Sequence, residues 1–586
     1  MSKNKNKNNP TENTDPLLSQ STVIGTYGIP KKILDRYLPK PTVRYNPRRH
    51  YSYGRYWKKS EVEAALQLPE VQAAIAQRRA SQQESRDHRE ISALLMKYNP
   101  DSLIEKARAL KRVFVLHVGP TNSGKTYDAV NALKSSRCGT YLGPLRLLAL
   151  EMFDKINASG VPCSLLTGEE SIPVEGAGIV ASTIELCDFR RHYKVAVIDE
   201  AQLVTDSDRG SAWLKAMCLV DAEEVHICLA PEALSYIESL VRQFGDPYSV
   251  VRHERLVPLV YAGKLNSFDE IQPHDAVICF SRKNVLSTAA HLERSGIRAS
   301  VIYGALPPAA RRSEVQKYTS GETSVIVATD AIGMGISLPI RRVIFSEVQK
   351  FDGKTQRPLT GGEIRQIAGR AGRYGMFDLG EVLTMDDSDI VENGLRFTVS
   401  QIRTPCIAFP REVLATDYPL DTLLRTWQRL PGSKSFKRED VSDALVLYSM
   451  LRSSCEGKDR ELIYDLITCP VDTGLQELLI YWLTCARAIL RSRRIPEPHF
   501  DTDTLQGCEL QYKAYDVHHQ LLQRIGQPDS CSEQREEVCR RIAELMAEDK
   551  SQYIRRCKSC GKELPLGYTF NLCPACYSGS SMHFHV

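Results

Sequence analysis

Eight consecutive residues carry the strongest chemical signal in this chain: Gly119, Pro120, Thr121, Asn122, Ser123, Gly124, Lys125 and Thr126. They follow the apolar run 113–118 and precede a segment of helical spacing. Glycines at both ends of such a loop let backbone N–H groups curl around phosphates at a helix N-terminus. Lys125 is placed to reach the β- and γ-phosphates, and the Thr126 hydroxyl to ligate Mg²⁺. Further on, Asp199 and Glu200 end the apolar run 195–200. A carboxylate at the C-terminal end of a buried strand, facing a phosphate loop, is suited to hold that Mg²⁺. Its neighbour Glu200 is suited to orient or deprotonate a water. Such a pair alone is as often a solvated strand end, and the loop upstream is what gives this one meaning.

Two further groups stand out. Gln366, Arg370 and Arg373 lie within one short segment, and their spacing predicts both arginines on one helix face. Planar guanidiniums there can approach a γ-phosphate, and supply from a second domain makes hydrolysis depend on domain closure. The plain alternative is a basic surface helix. Near the end of the chain, Cys557, Cys560, Cys573 and Cys576 form two C-x2-C pairs separated by twelve residues. That spacing suits tetrahedral Zn²⁺ in a ribbon fold, with disulfides as the alternative. His583 and His585 are spare ligands or part of a frayed tail.

These groups need elements to position them. Short apolar runs recur at 113–118, 139–143, 178–183, 195–200 and 225–230, and again at 276–280, 299–303, 324–330, 342–347 and 381–385. Alternation with helical segments implies buried parallel strands and βαβ crossovers in two successive α/β units. The stretch 250–272, with Pro258 and Pro273, reads as the linker between them. After about 400 the pattern turns helical. Residues 1–25 are polar and of low complexity, which predicts disorder. The stretch 36–59 holds eight Lys/Arg, five Tyr and Trp57 with no acidic residue. It predicts either base stacking with phosphate neutralisation or an extended arm docked across the α/β units.

The 586 residues are 42% apolar and carry a net charge of +5, which excludes neither nucleic acid nor an acidic partner. No apolar run approaches the roughly 20 residues that span a bilayer. The first twenty residues lack the apolar core of a secretory signal and the arginines of a transit peptide. Thirteen of the 17 cysteines lie in apolar or helical contexts, as reduced thiols do. The expectation is an intracellular, cytoplasmic protein.

HVGPTNSGKT (117–126), the segment 143–170, VIDEAQ (197–202), DRGSAWLKAM (208–217), ATDAIGMGISLP (328–339), KFDG (350–353) and QIAGRAGRYG (366–375) together resemble one family. It is the superfamily 2 helicases, specifically the mitochondrial degradosome RNA helicases and their bacterial relatives. The resemblance covers roughly 110–400 and implies two tandem RecA-like parallel-sheet domains there. With the helical spacing after 400 and the cysteine spacing, the expected architecture is those two domains followed by a helical domain and a small C-terminal zinc ribbon. The expected boundaries are 1–25 for the tail and 26–109 for a basic, aromatic and helical N-terminal region. They continue with 110–255 and 256–400 for the two RecA-like domains, 401–550 for the helical domain and 551–586 for the zinc module. It further implies ATP and Mg²⁺ between the domains, and a 3′-to-5′ motor on RNA with a single-stranded 3′ tail. An exoribonuclease is the partner it suggests. Pro144, Leu145, Arg146, Ser182 and Thr183 would lie along a nucleic-acid backbone in the first domain, and Ser281, Arg282, Thr329 and Asp330 would face the strand or the interdomain cleft in the second. One departure is Ala230-Pro231-Glu232-Ala233, which stands where many helicases carry Ser-Ala-Thr. The rival readings are a DNA helicase or translocase, and an inactive nucleic-acid-binding scaffold using its zinc module.

Overall fold

The computed structural model describes residues 15–45, 53–168, 170–333, 338–351, 355–397, 401–402, 404–527, 531–548, 553–564 and 570–580. The chain divides into two compact units, Met1–Lys97 with Thr416–Leu430, and Tyr98–Ala415 with Pro431–Val586.

The larger unit holds two sheets. The strands of the first lie side by side in the order Tyr248–Arg252, Val113–Val118, Asp221–Leu229, His192–Ile198, Gly139–Gly143, Ile179–Thr183, Cys163–Leu166 and Ser171–Ile172. All neighbours are parallel except the last pair. The second sheet runs Leu259–Lys264, Gly380–Thr384, Arg342–Phe345, Asp275–Ile278, Val325–Ala328 and Ala299–Ile302, parallel throughout. These strands are near-continuous apolar runs because helices cover both faces. The expected class, two RecA-like parallel-sheet domains followed by helices, is what forms. The helices Leu505–Arg524 and Ser532–Ala547 close onto the second sheet, where Cys508, Tyr515, Val538 and Ile542 share a core with Val277, Ala289 and Val301. No helix among the described residues is long and apolar enough to cross a membrane.

The smaller unit corrects two expectations. Residues 15–25 are folded: Leu17–Ser19 pairs with Tyr53–Lys58, and Ser19 caps the helix Gln20–Gly25. Val23 is fully buried there, which anchors a segment whose composition alone reads as disordered. Residues 1–14 lie outside the described residues. The basic and aromatic stretch is no extended arm. Thr42–Tyr45 and Tyr53–Lys58 pair in a small sheet, and Trp57 is buried with Val23, Ile29, Leu34, Val62 and Val71. The Trp57 indole donates to the Pro39 carbonyl at 2.8 Å, and Arg55 lies over its ring while pairing with Asp35. Tertiary packing engages Trp57 and Arg55, while Arg36, Lys40, Arg44, Tyr53, Lys58 and Lys59 stay exposed and 46–52 lie outside the described residues.

The expected boundaries move as well. The helix Asp101–Ala107 packs on the first RecA-like domain, so that unit begins before residue 110. Leu420–Arg429, expected in the helical region, packs on the Pro69–Leu95 helix of the smaller unit, with Thr426 bonded to His88 and Tyr418 to Glu90. The linker is shorter than expected, because Tyr248–Arg252 and Leu259–Lys264 are strands and only 253–258 connects the two sheets.

Candidate functional site

Parallel strands deliver their loops to one edge of a sheet. At the end of Val113–Val118 the chain turns through Asn122 (φ 61°) and Gly124 (φ 85°) into the helix Lys125–Ser136. The Lys125 ammonium donates to the carbonyls of Gly119 and Pro120, both at 2.7 Å, which folds it over the loop. The Thr126 hydroxyl lies 3.2 and 3.3 Å from the two Asp199 oxygens. These are hard oxygen donors converging beside a phosphate loop, a set that fits Mg²⁺. Burial, then the charge of Glu200, push Asp199 up to about 6. The Tyr141 hydroxyl donates to Asp199 at 2.8 Å from within the core. Glu200 takes a left-handed backbone (φ 51°), a costly conformation for a side-chain-bearing residue, and one that turns it off the strand axis. Gln202 donates to Glu200 and accepts from the Ala230 amide at 3.1 Å, while Ile402 donates to the Glu232 carbonyl at 2.9 Å. The departing 230–233 segment is thus wired to Glu200 through Gln202.

Beneath the loop lies a chain of imidazoles. His117 is 3.0 Å from His253 and 2.9 Å from His226, and the two ends reach Asp128 and Glu224. Burial, then the neighbouring His226 and His253, hold His117 down to about 4.

Across the cleft, the helix Gly361–Ala368 carries Gln366 beside Gly333 and stops before the arginines. The expectation that Arg370 and Arg373 share a helix face is therefore corrected. Gly369 caps the helix and Gly372 (φ 73°) breaks it, so both arginines sit in the turn that follows. That turn brings Arg370 to Asp199 and Glu200: burial lowers its proton affinity, and Glu200, Glu151 and Asp199 act to raise it. Its guanidinium is braced by the Gly333 carbonyl at 2.6 and 3.0 Å. Arg373 is half-buried in the same turn, its carbonyl accepting from the Met376 and Phe377 amides. The two domains touch through this loop. Asn122 donates to the Gly372 carbonyl at 2.7 Å, and a Cβ on Gly369 would lie 2.9 Å from that of Thr121. Arg255, in the linker, donates to the Thr121, Val257, Gly369 and Ala371 carbonyls. One guanidinium thus joins the phosphate loop, the linker and the arginine turn.

The residues expected along a nucleic-acid backbone are less exposed. Ser182, Thr183 and Thr329 are buried, so their side chains do not reach the surface. The Pro144 carbonyl accepts from Arg209 at 2.6 Å, Leu145 precedes the helix Arg146–Ala158, and Asp330 pairs with Lys350. Ser281 is exposed and caps the helix Arg282–Arg294. Arg146 pairs with Asp516 at 3.2 Å and Arg282 with Glu509 at 3.1 Å. Both carboxylates stand on the helix Leu505–Arg524, seven residues and hence two turns apart on one face. A single helix therefore meets the predicted contact arginine of each domain.

The four cysteine sulfurs lie within 4.8 Å of one another, and Cys560 and Cys573 are 3.6 Å apart. That is close to the S–S separation around a tetrahedral Zn²⁺ with bonds of about 2.3 Å. Backbone amides of Cys573 and Cys560 hold Cys557 down to about 6. Cys576, although Ser559 hydrogen-bonds it, is pushed up to about 12 by the other three cysteines. Four sulfurs so placed repel one another as thiolates, and a cation between them removes that cost. His583 and His585 lie outside the described residues.

The DEXQ-box helicase domain of Suv3 matches residues 100–253, and the helicase conserved C-terminal domain matches 261–375. The chain carries a Suv3-type helicase core. It is 42% identical over 317 residues to the mitochondrial ATP-dependent RNA helicase SUPV3L1 of Mus musculus, a match covering 52% of this chain and 40% of that protein. To the mitochondrial ATP-dependent RNA helicase SUV3 of Oryza sativa subsp. japonica it is 40% identical over 344 residues, 58% of each. The mitochondrial DExH-box ATP-dependent RNA helicase DExH16 of Arabidopsis thaliana is 44% identical over 289 residues, 48% of this chain and 51% of the relative. The helicase core thus spans about half the length of these curated relatives. Their names overturn the cytoplasmic placement expected from composition, since each is a mitochondrial protein. The cysteine cluster lies beyond both matched domains. Gln202 belongs to the VIDEAQ stretch, but motif spacing does not single out Tyr141, Arg255 and Asp516. They act through tertiary contacts that no local pattern marks.

Proposed function

We propose that this chain is an ATP-dependent RNA helicase. One observation carries the reading: Thr126, Asp199 and Glu200 face Arg370 across a cleft whose walls are joined by Asn122 and Arg255. Backbone amides of Thr121 to Thr126 cradle the phosphates, and Lys125 swings from its carbonyls onto them. Thr126 and Asp199 would hold Mg²⁺, which would supply positive charge to offset that of the phosphates. Glu200 orients the attacking water, while Gln366, Arg370 and Arg373 complete the site from the second domain. Because the arginine turn rests on the phosphate loop, turnover requires the cleft to close.

The strand lies over the loops 144–146 and 281–282, read through phosphate and ribose and so largely independent of base sequence. Zn²⁺ is held by Cys557, Cys560, Cys573 and Cys576. Motion from 3′ to 5′ on an RNA with a single-stranded 3′ tail, and an exoribonuclease partner, rest on the resemblance alone. Unwinding of matched RNA and DNA duplexes with 3′ or 5′ tails tests the reading, with Lys125→Ala and Glu200→Gln as controls. Wild-type unwinding of the 3′-tailed RNA, absent in both variants, is expected. Equal unwinding of 5′-tailed substrates defeats the polarity, and equal action on DNA shifts the substrate to the translocase alternative.

A further inference from the structure

The Cys-rich module borders a basic cavity of about 270 Å³, formed with the first turn of the Arg282–Arg294 helix. Lys283 enters it from the helicase C-terminal domain, and Arg555, Arg556 and Lys558 enter from the module. Among the described residues no acidic side chain lines it. The nearby carboxylate of Glu563 is engaged by both Arg556 and Arg294, at 3.2 and 3.0 Å. Lys283 feels the crowding: burial, then Arg555 and Lys558, lower its proton affinity. Like charges held together in this way favour an anion between them. Ser281 and Arg282, two and one residues away, belong to the loop already read as a backbone contact.

A second feature of the module lies beside this cavity. Arg555 donates to the Phe570 carbonyl at 3.1 Å, and the Phe570 and Tyr577 rings lie 5.9 Å apart. Both rings are 57% exposed. Two large aromatics therefore present surface next to a cationic cavity. Single-stranded nucleic acid fits this pairing, because its binding sites combine cations that track phosphates with aromatic faces on which bases stack.

We propose that the Cys-rich module and the Lys283 turn form a binding site for single-stranded RNA, with a backbone phosphate in the Lys283–Arg555–Lys558 cavity and a base on the Phe570–Tyr577 surface. The inference rests on the helicase reading and extends its strand beyond the loop 281–282. The module thereby acts as an exit or entry guide whose grip is independent of base sequence.

Binding of the full chain to a labelled single-stranded RNA, measured across a salt series, tests this. Lys283→Ala with Lys558→Ala is expected to reduce the slope of log affinity against log salt by about 0.7 for each phosphate no longer neutralised. Phe570→Ala with Tyr577→Ala is expected to weaken binding about tenfold with the slope unchanged. If the wild type does not bind RNA, the helicase reading itself fails. If it binds and both variants match it in affinity and slope, this proposal alone is overturned. Displacement of the RNA by inorganic phosphate at matched ionic strength marks a free-anion site and also overturns it. Zinc content is measured on every variant. Should a module variant lose metal, Lys283→Glu, which lies outside the module, decides by the same slope.

Discussion

The proposed nucleotide cleft and the proposed nucleic-acid face of this protein are built by opposite rules. In the cleft, Lys125 and Arg370 meet backbone carbonyls, and the Thr126 and Tyr141 hydroxyls meet Asp199. On the face, Arg146 and Arg282 are each met by a carboxylate of the Leu505–Arg524 helix. The cleft is assembled by strand-to-helix turns that place their side chains locally. The face is completed by an element 370 residues downstream of Arg146. The cleft therefore presents its chemistry directly, whereas on the face the Asp516 and Glu509 carboxylates already occupy both arginines.

The comparison breaks first at Arg370. Arg370→Ala is expected to lower ATP turnover about 10³-fold with little change in nucleotide affinity. Steady-state kinetics with a separate binding measurement check this, and a reduction below tenfold removes the arginine from the cleft. Arg255→Ala tests the clasp rather than the chemistry. Letting the turn drift by about an ångström is expected to cost up to about 10²-fold in turnover, again at nearly constant nucleotide affinity. On the face, Asp516→Asn is expected to act in the other direction and raise single-stranded RNA affinity about fivefold at low salt, the scale of a partly exposed ion pair. Equal or weaker binding in a filter or fluorescence titration ends the view of that helix as a competitor for the arginines.

The smallest effect concerns stability. Folded His117 stays neutral down to about 4, whereas an unfolded histidine takes a proton near 6.5. Between those values the unfolded state binds more protons, so stability is full above the window and lost as pH falls through it, by about 1 kcal/mol per pH unit. Urea titrations at neutral pH and near pH 5 check the sign. Greater stability at the lower pH contradicts a neutral buried imidazole chain.

The same contrast explains what is legible in the sequence alone. The apolar runs, the phosphate loop and Asp199-Glu200 are local patterns, and their spacing places them correctly. Arg370 and Arg373 are legible as a pair but not as a turn, because the break depends on Gly369 packing against Thr121 from another domain. The stretch 36–59 misleads, since density of Tyr and Arg does not reveal that Trp57 is buried and Arg55 paired with Asp35. Arg146 and Arg282 stand out, but their partners Asp516 and Glu509 belong to a helix whose place is set by packing against the second sheet.

The shortness of the connection between the two sheets has a kinetic consequence. Only residues 253–258 join them, and a fully extended segment of that length reaches about 20 Å. When Arg255 and Asn122 let go, the arginine turn therefore cannot wander far from the phosphate loop. Short tethers keep their ends at effective concentrations on the order of millimolar, so re-engagement is an intramolecular event. Opening is then a swing rather than a departure.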